Sequence, residues 1–132
     1  MTSMASKMKL ITMLGLAAGL AVIGSTCGGV TDSRESARDK ATKATCDRYQ
    51  TCGLIGPGAT YATYDSCSTV WAANWEQRWP VATCGSINQM GLGVCLSAIN
   101  ATDCTSIIDF LATLAKCEDV DVCIAPSHPD GG

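Results

Sequence analysis

Eight cysteines (Cys46, Cys52, Cys67, Cys84, Cys95, Cys104, Cys117 and Cys123) fall within 78 consecutive residues. An even set at that density, in a chain bound for export, reads as four disulfides. The whole chain has 132 residues, room for one domain. A domain of that size buries limited apolar surface, so cross-links that restrict the unfolded chain matter more than usual. The pairing stays open, because eight cysteines allow roughly a hundred connectivities. Hairpin geometry favours Cys52 with Cys67 and Cys95 with Cys104. Each of these pairs joins one helix end to the start of the next helix, which can bring Cα atoms within about 7 Å.

The ninth cysteine stands apart. Residues 1–9 carry Lys7 and Lys9 and no acid, and residues 10–23 form a 14-residue stretch without a charge. That is the layout of a signal peptide, and the apolar run is shorter than the roughly 20 residues that span a bilayer. Ser25-Thr26-Cys27-Gly28-Gly29 then resembles a bacterial lipoprotein signal, in which small residues precede a cysteine that is lipidated and becomes the new N-terminus. Gly24 stands where that pattern usually has Leu, and Thr26 where Gly or Ala is commoner. The expected division is a signal peptide over 1–26, a lipidated Cys27 and tether over 27–32, a cysteine-rich domain over 33–123 and a flexible tail over 124–132. The alternative is ordinary secretion, with Cys27 unpaired or trimmed away.

Beyond the leader, seven Lys or Arg face twelve Asp or Glu. That acidic balance argues against nucleic acid as a partner. Arg34, Arg38, Lys40, Lys43 and Arg48 interleave with Asp32, Glu35, Asp39 and Asp47, the pattern of a solvated helix face with local ion pairs.

Four helices are predicted. Asp32-Ser33-Arg34-Glu35 resembles a capping box, and a helix from Ser33 to Cys52 would turn Ala37, Ala41 and Ala44 inward and stop at Gly53. Residues 54–63 are rich in Gly and Pro and read as a loop. Thr63 caps a second helix from Tyr64 to Trp79, ended by Pro80. It holds all three tryptophans, Trp71, Trp75 and Trp79, four residues apart. Such a stripe is either core or an exposed aromatic ligand surface. Ser86-Ile87-Asn88-Gln89 is a second capping-box pattern, before a helix with Leu92, Cys95, Leu96 and Ile99 on one face and Asn100 as its terminal cap. Gly91 and Gly93 weaken that helix and would permit close approach of a tryptophan ring. A fourth helix starts at Asp103 or Thr105, turns Ile107, Phe110, Leu111 and Leu114 inward and is closed by Lys116. The fold class expected is all-α, a small disulfide-stapled bundle of about four helices after a signal peptide.

Chemistry is scarce in this pattern. No Cys-x-x-Cys occurs, and the sole histidine, His128, lies in the tail. Zinc, histidine-based acid–base catalysis and thiol exchange are all poorly supplied. Glu118, Asp119 and Asp121 lack the spacing of a calcium loop and read as a solvated turn. No catalytic residue, metal or cofactor is expected.

Cys46-Asp47-Arg48-Tyr49, Cys52-Gly53, Ile55-Gly56-Pro57-Gly58, Tyr61, Cys67, Trp75, Trp79-Pro80 and the cysteines up to Cys123 resemble a group of myxobacterial-type cysteine-rich lipoproteins. The resemblance covers about Ser33 to Cys123. That family is uncharacterised and labelled as associated with natural-product biosynthesis. The resemblance implies a lipid-anchored cell-envelope protein and transfers no catalytic residues. Taken together, the expectation is a non-enzymatic binding or accessory module held at a membrane by an N-terminal lipid and facing an oxidising compartment. Its protein or small-molecule partner is not specified. The rivals are a carrier of a small hydrophobic molecule and a soluble secreted disulfide-rich protein.

Overall fold

The computed structural model describes residues 32–105 and 107–127. The leader, Cys27, the tether up to Thr31 and the tail from His128 lie outside them, as do the side chains of Ile107 and Ile108. In chain order the elements are α1 (Arg34–Thr51), α2 (Tyr64–Arg78), β1 (Ser86–Ile87), α3 (Gln89–Ala101) and α4 (Ile107–Leu114). A 3-10 turn (Ala115–Cys117), α5 (Asp119–Val122) and β2 (Cys123–Ile124) complete the fold. It is all-α in character, a stapled helical bundle with one two-stranded ribbon.

Local sequence chemistry sets the helix ends. Ser33, and not Asp32 as the Asp32–Glu35 pattern suggests, is the N-cap of α1, its hydroxyl accepting from Ser36 N, while the Asp32 carboxylate accepts from Ser36 Oγ and Lys40 Nζ. At the other end Gly53 adopts φ 71°, Gly53 N donates to Gln50 O and Leu54 N donates to Tyr49 O at 2.9 Å. This double bond to the last helical carbonyls needs a left-handed residue, which glycine supplies without a Cβ clash. Thr63 and Ser66 form a reciprocal capping box on α2.

The core lies between α1, α2 and α3. Alpha-1 turns Ala37, Ala41, Thr45 and Cys46 inward, all with no solvent exposure. These small side chains leave room for the large rings of the facing α2. Trp71, Trp75 and Trp79 are buried, and the stripe is an interior stack, with centroids 5.8 Å apart for Trp71 and Trp75 and 5.0 Å for Trp75 and Trp79. Burial removes the reading of these rings as an exposed ligand surface. Trp79 Nε1 donates to Cys117 O at 3.0 Å, tying α2 to the 3-10 turn.

The four disulfides join Cys46 to Cys67, Cys52 to Cys104, Cys84 to Cys123 and Cys95 to Cys117, with Cα separations of 5.9, 5.3, 4.8 and 4.7 Å. The expected Cys52–Cys67 and Cys95–Cys104 pairs are therefore both wrong. The expectation assumed that neighbouring helix ends meet. Instead, Cys46 sits on the buried face of α1 and meets Cys67 on the facing side of α2, while Cys52 lies past the helix end and reaches the loop after α3. Cys95 is wholly buried in mid-α3 and faces Cys117.

Four further expectations are corrected. The helix expected to be capped by Ser86 is capped two residues later by Asn88, whose side chain accepts from Met90 N and Gly91 N. Ser86 and Ile87 are instead drawn into an antiparallel ladder with Ile124 and Cys123, beside the Cys84–Cys123 bridge. Ile124, expected to open the tail, thus belongs to the fold. Alpha-3 also runs past Asn100 to Ala101, with Thr102 as its cap. Finally, Leu111 is exposed, whereas Phe110 is partly buried and Thr113, Leu114 and Cys117 are buried. At about 100° per residue, Leu111 points well away from the face centred on 110, 114 and 117, while Thr113 lies nearer to it. The Thr113 hydroxyl is satisfied there, 2.8 Å from Thr102 Oγ1 and donating to Asp109 O.

No helix among the described residues is long and apolar enough to cross a membrane. Four disulfides are consistent with a protein of an oxidising compartment, hence an exported one.

Candidate binding cleft

The last turn of α1 carries Arg48 and Tyr49, and Cys52 caps it. The Schellman turn at Gly53 swings the chain back, bringing Leu54 and Thr60 over the end of the helix. The loop closes on itself, with Gly56 N bonded to Tyr61 O and Tyr61 N to Leu54 O. Opposite stand Thr102, Asp103, Cys104 and Thr105, and Phe110 of α4. Together they line a half-open, mainly apolar cleft of about 300 Å³.

Its apolar wall rests on the core. Phe110 meets Tyr49 edge to face at 5.8 Å and Trp71 at 5.1 Å, and Tyr49 meets Tyr61 at 5.3 Å. Trp71 therefore backs this wall through Tyr49 and Phe110. Burial, then the nearby Tyr61, pushes the Tyr49 phenol above its ordinary value.

The rim is polar. Arg48 Nε donates to Thr102 O at 2.7 Å, joining the end of α1 to the end of α3. The Thr105 backbone N–H and hydroxyl both donate to Asp103 Oδ1 at 2.9 Å. Those two bonds, with the Arg48 guanidinium nearby, hold the Asp103 carboxyl below its ordinary range. The Cys52–Cys104 bridge crosses the same wall, with Cys104 exposed.

Such a site can hold a flat or aliphatic body against Tyr49 and Phe110 and bond a polar group at the rim. Among the described residues no group of three His, Cys, Asp or Glu stands close enough to hold a metal ion. Of the residues singled out by sequence, the cleft contains only Cys52 and Cys104; Cys27 lies outside the described residues. Arg48, Tyr49 and Phe110 were not legible as a site, since they come from two segments far apart in the chain. The only signal was that Phe110 is the sole phenylalanine and Tyr49 stands at the edge of the inward face of α1.

A family model matches residues 46–125, more than half of the chain. The chain belongs to DUF6184, a family of unknown function. The DUF6184 match begins at Cys46 and ends beyond Cys123, so it takes in all eight bridged cysteines and every residue of the cleft. The first three turns of α1 precede it. No curated protein and no solved structure matches the chain.

Proposed function

We propose that this DUF6184 protein is a lipid-anchored cell-envelope protein that acts as a non-enzymatic binding or accessory module. One observation carries the reading. The eight cysteines of the domain are all consumed by four bridges, so the ninth cysteine of the sequence, Cys27, is surplus to the fold. It sits at the end of an apolar leader, where an acyl anchor would be attached. Two or three chains on one cysteine, at about 0.8 kcal/mol per buried methylene, would hold the protein to a membrane essentially permanently. The resemblance to cysteine-rich lipoproteins associated with natural-product biosynthesis supports the accessory role. The test is the mass of the N-terminal peptide of protein taken from bacterial membranes. A peptide that starts at Cys27 and carries acyl chains is expected; one that starts elsewhere without lipid would make this a soluble secreted protein.

The cleft favours a second reading, a carrier of a small hydrophobic molecule. The wall of Tyr49, Leu54 and Phe110 supports it, in place of the buried tryptophan stripe. Displacement of an environment-sensitive fluorescent probe such as anilinonaphthalene sulfonate tests it. Binding to the oxidised protein that is lost in Phe110→Ala is expected, and absence of any probe binding would remove the carrier reading.

A further inference from the structure

The start of α1 is pinned to the body at two points. The Gln89 amide donates to Asp32 Oδ2 at 3.2 Å and accepts from Asp32 N at 2.6 Å. Arg34 Nη1 donates to Trp79 O at 2.9 Å, and its Nη2 pairs with Glu76 at 2.8 Å. Beside each pin stands a large apolar side chain with nothing over it. Val81, two residues past Trp79, is 65% exposed, and Met90, the neighbour of Gln89, is 80% exposed.

The tether decides what these side chains meet. Cys27 is five residues from Asp32, and five residues span at most about 18 Å even when fully extended. Acyl chains on Cys27 would therefore keep Asp32 within one such length of the lipid, with Gln89 bonded to Asp32 and Trp79 bonded to Arg34 two residues further on. The cations nearest the start of α1 are already paired. Lys40 pairs with Asp32 at 2.6 Å and Arg34 with Glu76, so the attraction is apolar and not that of a basic patch for anionic headgroups.

We infer that the α1-start end of the bundle faces the membrane, with Val81 and Met90 seated in the lipid interface; this rests on the anchor proposed above. The cleft then faces the other way. Arg48, Tyr49 and Cys52 lie at the far end of an 18-residue helix, about 27 Å long. The protein holds its binding surface out into the aqueous compartment.

Met90 supplies the test, because it is the only methionine beyond Cys27. A second reporter, Gln50→Met, is placed on an exposed position in the last turn of α1. The acylated protein in phosphatidylcholine vesicles is treated with a water-soluble oxidant, and sulfoxide at the two positions is followed by mass spectrometry. The unacylated Cys27→Ser protein in buffer is the reference. Met90 is expected to oxidise about fivefold or more slowly than the reporter on vesicles, and at a similar rate in the reference. Similar rates on vesicles, with the acyl mass present on Cys27, would overturn the orientation alone. Absence of the acyl mass would overturn the anchor and the orientation with it.

Discussion

Gly91 in α3 lies directly against the backbone carbonyl of Asp121 in α5. A Cβ on residue 91 would collide with that oxygen and stand 2.7 Å from its carbon. Close approach was foreseen for this glycine, but its neighbour is a carbonyl and not a tryptophan ring.

Gly93, two residues on in the same helix, has open space where a Cβ would go. The two glycines should therefore respond oppositely to alanine. Gly93→Ala is expected to stabilise by about 0.5–1 kcal/mol through helix propensity and a stiffer unfolded chain. Gly91→Ala is expected to destabilise by about 1–3 kcal/mol, since backbone must shift to admit the methyl group. Thermal unfolding of the two variants checks this, and equal shifts would contradict the packing of α5 on α3.

Trp75 and Trp79 are equally buried, yet they differ in hydrogen bonding. Trp79 Nε1 donates to Cys117 O, whereas Trp75 Nε1 has no protein partner. Replacing either by Phe removes similar volume. Trp79→Phe should cost about 1 kcal/mol more than Trp75→Phe, because it also strands a buried carbonyl. Urea unfolding of the pair measures the difference.

The bridges differ in access. Cys46, Cys67, Cys95 and Cys117 have no exposure and Cys84 almost none, whereas Cys104 is exposed and Cys52 partly so. Thiol exchange needs an attacking thiolate to reach a sulfur. Mild reduction without denaturant should therefore free Cys52 and Cys104 first, with the helical circular dichroism largely kept. Alkylation and peptide mapping identify the pair; first labelling at Cys46 or Cys95 would contradict it.

Four depressed carboxylates shape the acid limb of stability, Asp103 of the cleft rim among them. The Lys40 hydrogen bond holds Asp32 below its ordinary 3.8, the Lys43 bond does the same for Asp47, and bonds from Arg34 and then Arg38 hold Glu76 below 4.5. A carboxylate with a depressed folded pKa stabilises fully above its unfolded value and loses that contribution as pH falls through the folded one. Melting temperature should thus be nearly flat from about pH 7 to 5 and fall below about pH 4. Glu76→Gln should fall less steeply across that acid range. At the alkaline side, burial and then the bond to Asp47 push Tyr64 up to about 12. Its neutral form is favoured in the fold, so that contribution is complete below 10 and lost as pH rises through 12. A phenolate absorbance titration should show a component near 12 that disappears in Tyr64→Phe.

The N-cap Thr63, the stop at Gly53 and the placing of Trp71, Trp75 and Trp79 on one helix face were legible in the sequence, whereas the cap at Ser33 in place of Asp32 and the burial of that face were not. The legible features depend on residues within about a turn of one another, where covalent geometry dictates which groups meet. The cap at Asn88 was misread because a distant strand, Cys123–Ile124, competes for Ser86 and Ile87. Leu111 was misread because its apolar character says nothing about which arc of a short helix finds a neighbour.

The sequence alone therefore determined a helical chain whose eight domain cysteines pair and whose ninth stands at the end of an apolar leader. Only the tertiary structure decided that Cys46 meets Cys67 and Cys52 meets Cys104, that Arg48, Tyr49 and Phe110 share one cleft, and that Gln89 and Trp79 meet the start of α1. Those contacts join segments far apart in the chain, and the cost of closing a loop varies so slowly with its length that spacing cannot choose among partners. The packing of the helices chooses them.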